Sequence, residues 1–369
     1  MEFNHNQYLE YRIFDFLIDY NIRFALYRLP GEHDINLILQ TSPNENQFEN
    51  LSELNNKQGF VIAPFQISER NPIVLIKPDI VIAGQNAILS YIKDFISITS
   101  NNPVSQTFVG DNISDTFEAY SKAYSVFQTT LADGNIQKLV LSRTLKKERR
   151  QDFSIGESFL KACKTYPDNF VYLCNTPETG SWLGCSPELL IAGQESSWKT
   201  VALAGTKDNS TTDWDNKNRI EQQIVADYMQ QQLELGGYRY TESKPVTIES
   251  GNIKHIKTDF SFESDSSASV GDLLELLHPS PAVCGFPKKE AFEFIVANEG
   301  YNRSYYSGFL GCINMMGKTE VYVNLRCMKI HKDILELYAG GGILTSSSLK
   351  SEWEETEKKL QTILSIIDK

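Results

Sequence analysis

The segment VYVNLRCMKIHKDILELYAGG, residues 321–341, predicts two neighbouring β-strands. Residues 321–330 and 334–341 are rich in branched and apolar side chains, and the polar residues 331–333 between them suit a hairpin turn. A Gly/Ser loop follows, and helical spacing then predicts a terminal helix from about Leu349 to Ile367. The end of the chain is therefore predicted to place a helix directly after a β-hairpin.

A helix followed by a strand is predicted in the middle of the chain. Asp115 and Glu118 resemble an N-terminal capping box, and Gly134 suits the end of the helix. The apolar residues that keep helical spacing between these ends are Phe117, Tyr120, Tyr124, Phe127 and Leu131. In the strand KLVLSRTLK (138–146), alternation of side chains places Lys138 at the start of one defined face.

Further elements are predicted on both sides of this unit. A long helix from about Asn216 to Leu235 carries Glu221, and the serine-rich stretch 261–272 is predicted to be a loop. A helical stretch is predicted from Tyr8 to Asp19. The strand-like runs are 60–65, 71–84, 170–175 and 188–193.

The polar stretch 100–112 is the most plausible seam in the chain. It separates an N-terminal part, residues 1–110, from residues 111–369, which carry all the chemical motifs. We expect the two parts to form one integrated structural domain.

The amino-acid composition and the net charge limit the classes of protein to which this chain can belong. Hydrophobic residues make up 41% of the chain and charged residues 22%, which is typical of a globular protein and not of a disordered one. The formal net charge of -12 argues against a nucleic-acid partner, because no basic stripe is present to neutralise phosphates. Bound anions would therefore need local cations or a metal ion.

No signal peptide and no long apolar run is visible, so we expect a cytoplasmic protein without membrane contact. The six cysteines stand singly within apolar stretches and lack the spacing of a zinc site. We expect them to be buried thiols.

Three charged residues of the terminal helix, Glu352, Glu355 and Lys359, share one helical face. A solvated face with an ordinary ion pair is one interpretation. The other includes Glu221 on its separate helix, because carboxylate oxygens contributed from two helices are the ligands that Mg²⁺ prefers.

Arg326, predicted to lie on a strand near the Gly340–Gly342 turn, is a candidate receptor for a carboxylate. The alternatives are a structural ion pair for the arginine and a tight turn for the glycines. His255 and His278 show no metal-ligand spacing and suit core or loop positions. No GxSxG nucleophile motif is present.

The part of the chain from residue 138 onwards resembles the chorismate-utilising enzymes, which include isochorismate, salicylate, anthranilate and aminodeoxychorismate synthases. The segments that carry the resemblance, in family order, are KLVLSR (138–143), GCSPELL (184–190), ALAGT (202–206), NRIEQQIV (218–225), HIKTDF (255–260), LLHPSPAVCGFPK (276–288), NLRCMKI (324–330), YAGGGI (338–343) and SEWEETEKKL (351–360). The first hundred residues match only in length and character.

The resemblance implies an α/β (α+β) fold with two large, mainly antiparallel sheets, helices outside and a central cleft, to which residues 1–110 contribute a weakly matched part. It implies that Glu221 and Glu355 bind Mg²⁺, with Glu352 nearby acting through water. It implies Lys138 as the general base for water at ring carbon C2 of chorismate, and Glu188 as the general acid for the departing C4 hydroxyl. The implied substrate-binding residues are Gly205, Thr206, His255, Ala282, Val283, Arg326, Gly340, Gly342 and Lys359.

Three positions favour the isochorismate synthase branch of this family. Lys138 favours water over ammonia as the nucleophile, and Ala204 stands where a covalent route would need lysine. The pair Ala282-Val283 resembles the isochorismate synthase pattern. The resemblance therefore implies an isomerase that interconverts chorismate and isochorismate and feeds menaquinone or catechol siderophore biosynthesis. The alternative is a pyruvate-releasing salicylate or anthranilate synthase.

Two residues depart from the family pattern around the implied metal site. Gln222 replaces a usual histidine, and Asn218 stands at a position that is often acidic. The charge around Mg²⁺ is therefore expected to be lower than in typical relatives. We further expect a monomer that works without a glutamine amidotransferase subunit.

Overall fold

The computed structural model describes residues 12–43, 46–98, 116–208, 213–251, 253–264 and 269–368. The predicted seam at 100–112 and the predicted cap Asp115 lie outside these ranges, as does the start of the predicted helix Tyr8 to Asp19. The division of the chain at residue 110 therefore stays a prediction.

Helices and strands alternate along the described chain. The helices are α1 (Ile13–Asp19), α2 (Gln85–Ile98), α3 (Phe117–Ala132), α4 (Ile155–Thr165), α5 (Asn216–Leu235), α6 (Val270–Leu277), α7 (Lys288–Asn298) and α8 (Leu349–Ile367). The strands are β1 (Arg23–Arg28), β2 (Asn36–Gln40), β3 (Gln47–Phe48), β4 (Gly59–Ala63), β5 (Ile73–Ile76), β6 (Ile80–Ala83), β7 (Lys138–Glu148), β8 (Phe170–Thr176), β9 (Gly180–Ser186), β10 (Leu189–Gln194), β11 (Ser197–Asp208), β12 (Tyr240–Glu242), β13 (Val246–Ser250), β14 (Ile253–Glu263), β15 (Gly285–Phe286), β16 (Phe309–Met315), β17 (Lys318–Val323), β18 (Cys327–Ile330) and β19 (Ile334–Ile343).

The strands form two large antiparallel sheets. The first sheet has the order β15-β7-β19-β18-β9-β8-β1-β2-β6. The second has the order β12-β14-β11-β10-β17-β16-β4-β5-β3, with β13 paired to β14. Strands β1 to β6, from the first hundred residues, extend both sheets. This architecture confirms the predicted fold class.

The buried side chains form layers on both faces of the sheets. Along β1, Phe24 and Leu26 pack under α1, α2, α4 and α8 on the outer face of the first sheet, while Ala25 and Tyr27 point towards the second sheet. Such a strand is apolar at consecutive positions because both of its faces are covered. Helices α5 and α6 cover the outer face of the second sheet. The site described below lies where the two sheets meet.

The chain crosses between the sheets at residues 324–326. β17 belongs to the second sheet and β18 to the first, so the predicted single strand over 321–330 is wrong, and Arg326 does not lie on a strand. Arg326 has a φ of 47°, a left-handed conformation that ends regular pairing. The buried Asn324 holds the crossing by accepting a hydrogen bond from Tyr172 and donating one to the Tyr305 carbonyl at 2.9 Å.

The hairpin through residues 331–333 is confirmed, because β18 and β19 pair from Ile330↔Leu335 onwards. β19, however, continues to Ile343 and pairs with β7 along its length. Gly340–Gly342 therefore lie inside a strand, and their predicted turn is wrong. A turn was expected because glycines usually interrupt strands; here they make room for side chains from two helices.

The long predicted helices are confirmed, with small changes at their ends. The predicted strand run 71–84 is wrong as one element, because it is two strands, β5 in the second sheet and β6 in the first. The loop predicted over 261–272 is wrong at both ends, because β14 continues to Glu263 and α6 begins at Val270. α5 and α8 have the predicted bounds, and β7 starts at Lys138. α3 begins after Thr116, whose hydroxyl accepts from the Ala119 amide at 3.3 Å. All six cysteines are free thiols, of which only Cys163 is not fully buried. In the described part of the chain, no helix combines the length and the apolar character that crossing a membrane requires.

Candidate active site

A cavity lies between the two sheets. It is lined by residues of β7, β11, β14 and β19, by α5 and α8, and by the loops before β10 and β15. All nine of the predicted substrate-binding residues meet there. The predicted residues that line it are Glu188, Gly205, Thr206, Glu221, His255, Ala282, Val283, Arg326, Gly340, Gly342 and Lys359.

Lys138, at the start of β7, is fully buried beside this cavity. Its Nζ lies 3.2 Å from Oε1 of Glu221. Burial lowers the pKa of Lys138, and the neighbouring carboxylate of Glu221 only partly offsets this. A lysine in this environment can give up its proton more readily than an exposed one.

Glu188 lies directly before β10 and is 4% exposed. Burial raises the pKa of Glu188 to about 8, although Lys138, Lys359 and Arg326 each act to lower it. The carboxyl is therefore mostly protonated at pH 7. Lys138 and Glu188 are thus both shifted towards their neutral forms by removal from water.

The glycine run of β19 makes room for the carboxylates of α5 and α8. A Cβ on Gly342 would lie 2.1 Å from Oε1 of Glu221, and a Cβ on Gly341 would lie 3.3 Å from Oε2 of Glu352. Because these positions have no side chain, the two helices bring their carboxylates against the strand.

Glu221, Glu352 and Glu355 form one buried carboxylate cluster with two lysines. Lys217 Nζ lies 3.0 Å from Glu352 and 3.4 Å from Glu221, and Lys359 Nζ lies 2.7 Å from Glu355. Lys359 also donates to the Gly340 carbonyl at 2.7 Å. The interpretation of this face of α8 as solvated is wrong, because the Glu352 and Glu355 side chains are only 2% and 13% exposed.

The carboxylates of this cluster differ in their acidity. Burial and the nearby Glu355 raise the pKa of Glu352 to about 7. Burial would also raise the pKa of Glu355, but Lys359 and Lys217 lower it to about 2. The cluster is therefore one coupled group of charges in which the lysines stabilise Glu355 most.

Arg326 is a buried cation without a carboxylate partner among the described residues. Its Nη2 lies 3.0 Å from Nε2 of His255, and its Nη1 donates to the Thr362 hydroxyl at 3.4 Å. The structural ion pair considered for Arg326 is therefore wrong. A guanidinium held in a cavity with no anion beside it is suited to receive one from a ligand.

His255 orients this guanidinium. Since a guanidinium can only donate, Nε2 of His255 must accept, and the proton must lie on Nδ1, which contacts the Gly205 carbonyl at 2.8 Å. Burial, together with the charges of Arg326 and Lys359, lowers the pKa of His255 to about 3. This histidine is therefore neutral and positions Arg326.

Comparison with known proteins gives the family. The family described as chorismate binding enzyme matches residues 42–368. The chain belongs to the chorismate-binding enzyme family. Isochorismate synthase EntC from Escherichia coli K12 is 29% identical over 247 residues, which cover 64% of this chain and 63% of that protein. The match thus spans less than two thirds of the relative's length.

Two solved structures share the fold of this chorismate-binding enzyme. MenF, the menaquinone-specific isochorismate synthase from Escherichia coli, has a TM-score of 0.75 at 20% identity and covers 100% of this chain and 92% of its own. A putative 2,3-dihydroxybenzoate-specific isochorismate synthase, DhbC from Bacillus anthracis, has a TM-score of 0.73 at 21% identity, covering 96% and 99%. At these identities the likeness is evidence for the fold.

The carboxylate cluster of this chorismate-binding enzyme fits a hard divalent cation in its donor set. Oε2 of Glu352 is buried and has no hydrogen-bond partner among the described residues. Carboxylate oxygens on two helices are suitable ligands for Mg²⁺. In the described chain, the acidic side chains do not form a ready-made cage. The Lys217 ammonium contacts both Glu221 and Glu352.

The sequence interpretation missed Lys217 at this site. Lys217 and Glu221 are four residues apart on α5, which is the spacing of a helical ion pair and would have indicated it. The two departures from the family pattern face other groups: Gln222 donates to the Thr258 hydroxyl at 2.8 Å, and Asn218 accepts from the Thr206 amide at 2.8 Å. Asn218 thereby holds the backbone of β11 at Thr206, a predicted substrate-binding residue.

His278 lies outside the cavity and packs edge-on against Phe309. Burial lowers the pKa of His278 to about 3. This agrees with the prediction of a core position. His255, by contrast, lines the cavity.

Proposed function

We propose that this chorismate-binding enzyme is an isochorismate synthase, an isomerase that adds water at C2 of chorismate and expels the C4 hydroxyl. The observation that carries the proposal is the buried Arg326, without a carboxylate partner in the described chain, in a cavity beside Lys138 and Glu188. Chorismate supplies two carboxylates for the cations of such a cavity. The resemblance to EntC supports the same activity.

Lys138 is the proposed general base. Its lowered pKa increases the fraction of neutral amine, which can accept a proton from water as the water attacks C2. Ala204 lines the same cavity and offers no amine of its own. The nucleophile is therefore water, and no covalent intermediate with the chain is needed.

Glu188 is the proposed general acid. With a pKa of about 8 it is protonated at neutral pH and can donate its proton to the departing C4 hydroxyl. The two proton transfers leave the summed charge of the pair unchanged, because Lys138 gains one positive charge as Glu188 gains one negative charge. In the reverse reaction the roles exchange: the Glu188 carboxylate accepts a proton from water that attacks C4, and the Lys138 ammonium donates one to the departing C2 hydroxyl.

Arg326 and Lys359 are the proposed partners of the substrate carboxylates, with Gly340 and Gly342 providing the bare strand against which the substrate lies. These cations also account for anion binding by a chain with a net charge of -12. Gly205, Thr206, Ala282 and Val283 complete the proposed pocket.

We propose Mg²⁺ as the cofactor, held by Glu221 and Glu355, with Glu352 acting through water. The orphaned Glu352 oxygen and the carboxylate donor set support this assignment. When bound, Mg²⁺ supplies positive charge that offsets a carboxylate of the substrate. Gln222 faces Thr258 and adds no charge, so we expect only moderate metal affinity in the absence of substrate.

We propose that the product enters menaquinone or catechol siderophore biosynthesis, in line with the pathways named for MenF and DhbC. Because water is the proposed nucleophile, no glutamine amidotransferase subunit is needed to supply ammonia. We also propose that the active enzyme is a monomer in the cytoplasm.

Product analysis tests the activity. Purified protein is incubated with chorismate and Mg²⁺, with and without ammonium, and products are separated by HPLC while lactate dehydrogenase reports pyruvate. We expect a mixture of chorismate and isochorismate without pyruvate, and loss of turnover after chelation with EDTA. Pyruvate together with salicylate or anthranilate would instead assign the enzyme to the pyruvate-releasing branch.

A further inference from the structure

Lys217 occupies the place between carboxylates that a metal ion would need. Its Nζ lies 3.0 Å from Oε1 of Glu352 on α8 and 3.4 Å from Oε2 of Glu221 on α5, so it bridges the two helices. The side chain is 16% exposed, whereas Glu352 is 2% exposed. The ammonium therefore lies at the boundary between the buried carboxylates and solvent.

The bridge compensates a strong local repulsion. Glu221, Glu352 and Glu355 approach one another around the glycines of β19, and a buried carboxylate without a counter-charge is strongly destabilising. The Lys217 ammonium lies within ion-pair distance of two of these carboxylates, Glu221 and Glu352. It therefore performs the neutralising role that a cation would perform.

The Glu352 oxygen that Lys217 leaves free indicates that this compensation is incomplete. Oε2 of Glu352 is buried without a hydrogen-bond partner in the described chain, although Oε1 of the same carboxylate is paired with the lysine. In this arrangement the ammonium reaches only one of the two oxygens. A divalent cation with its bound waters could reach both, because it carries twice the charge and binds several oxygens.

Other carboxylates lie near Lys217 and could accept its ammonium if a metal ion took its place. A second cavity, open to solvent, is lined by Lys217 together with Asp213, Asp215 and Glu355. Lysine has a flexible four-carbon stem, so its ammonium can move between neighbouring carboxylates without a change of backbone. Asp213 and Asp215 stand beside it on the solvent side of the cluster.

We propose that Lys217 is an internal counter-ion that divalent metal must displace, moving from Glu221 and Glu352 towards Asp213 and Asp215 when the metal binds. This inference rests on the proposed Mg²⁺ site. It makes Lys217 a positioning residue that sets metal affinity and keeps the buried carboxylates neutralised in the metal-free enzyme. Monovalent cations, with the same charge as the ammonium, gain nothing by replacing it.

The test compares metal binding by the full chain and by Lys217→Met, which keeps the apolar stem and removes the charge. Binding of Mn²⁺ is followed by the EPR signal of the free ion, and binding of Mg²⁺ by calorimetry, both without chorismate. We expect Lys217→Met to bind either metal at least about tenfold more tightly than the unchanged protein. Its melting temperature should be lower without metal and should rise more steeply as metal is added.

Two matched variants separate this effect from others. Lys358→Met removes the same charge from the same cavity, but Lys358 pairs with Asp208 and does not contact the carboxylate cluster. It should leave metal affinity nearly unchanged. Lys217→Arg keeps the charge and should bind metal as weakly as the unchanged protein. If Lys217→Met is not stable enough to purify, Lys217→Gln takes its place.

The outcomes distinguish the two proposals. Metal affinity that is unchanged or weaker in Lys217→Met, while the unchanged protein binds metal, overturns the role of Lys217 and leaves the Mg²⁺ site standing. An equal gain in Lys358→Met also overturns it, because net charge alone would then explain the effect. No binding of Mn²⁺ or Mg²⁺ by any variant, with or without chorismate, overturns the metal site itself.

Discussion

Two lysines contact the same carboxylate, Glu221, from opposite sides, and their pKa values shift in opposite directions. Lys138, on β7, lies 3.2 Å from one oxygen, and Lys217, on α5, lies 3.4 Å from the other. Burial lowers the pKa of Lys138, whereas three carboxylates outweigh burial and raise that of Lys217. The number of opposing charges around each ammonium, more than its distance from Glu221, decides its protonation.

This difference assigns two kinds of chemistry to one small region. On the β7 side, removal from water favours neutral groups, which are needed to accept and donate protons. On the other side, lysines lower the pKa values of Glu221 and Glu355 and keep these two carboxylates charged, and charged oxygens are what a divalent cation requires. The glycines of β19 lie between the two sides and let both approach the substrate cavity.

Removing the amine of Lys138 should have the largest effect. We expect Lys138→Ala to lower kcat by about 10²-fold to 10⁴-fold, because it removes the proposed base, whose pKa is lowered by burial. The dissociation constant for chorismate, measured by fluorescence or calorimetry, should change little. Lys146→Ala, on the same face of β7, serves as the control, and wild-type turnover by Lys138→Ala would exclude Lys138 as the base.

Glu188→Gln should lower kcat by about 10² or more, since the amide has no proton to transfer. In the unchanged enzyme, activity should fall as pH rises through about 8, because the acid must be protonated to act. Steady-state rates between pH 6 and 10 measure this limb, which should vanish in the residual activity of the variant. A loss under about threefold would rule out the acid role.

Glu355→Gln should weaken Mg²⁺ affinity by more than about tenfold, because it removes a ligand of the proposed metal site. Calorimetric titration with Mg²⁺ measures the change. Glu354→Gln is the matched control: Glu354 is the preceding residue of α8, half exposed, and pairs at the surface with Lys350. Equal metal affinity in both variants would contradict the assignment of Glu355.

The smallest expected effect is on stability. The folded-state pKa of Glu188, about 8, lies above its ordinary value of 4.5, so between these values the folded state holds more protons than the unfolded state. Its contribution to the free energy of unfolding is therefore present at low pH and is lost as pH rises towards 8. Urea unfolding at pH 5 and pH 9 should show a decline in the free energy of unfolding that Glu188→Gln lacks. A decline of the same size in both proteins would remove Glu188 as its source.

Sequence periodicity predicted the long elements well and failed where tertiary contacts override local preference. α5 and α8 have the predicted bounds because each shows helical spacing over its length. Residues 321–330 appear as one strand in the sequence because both sides of the crossing are apolar and buried. Nothing local indicates that Asn324 is held by Tyr172 and Tyr305 in the space between two sheets.

The sequence predicted which residues belong to the candidate site better than it predicted how they are arranged. Motif resemblance named the carboxylates and Lys138 but did not include Lys217, and the local sequence placed the glycines in a turn. The glycines lie in β19, where the lack of side chains lets carboxylates from α5 and α8 come close to the strand. This close approach depends on packing between segments that are distant in the sequence.

The sequence by itself determined which side chains share a helical face, as Glu352, Glu355 and Lys359 do, because helical geometry is local. It also determined which segments are apolar enough to be buried. Only the tertiary structure decided which of the buried groups are neutral and which are charged. That property depends on removal from water and on charges contributed by residues far apart in the chain, as when α8 brings Glu352 to Lys217 on α5.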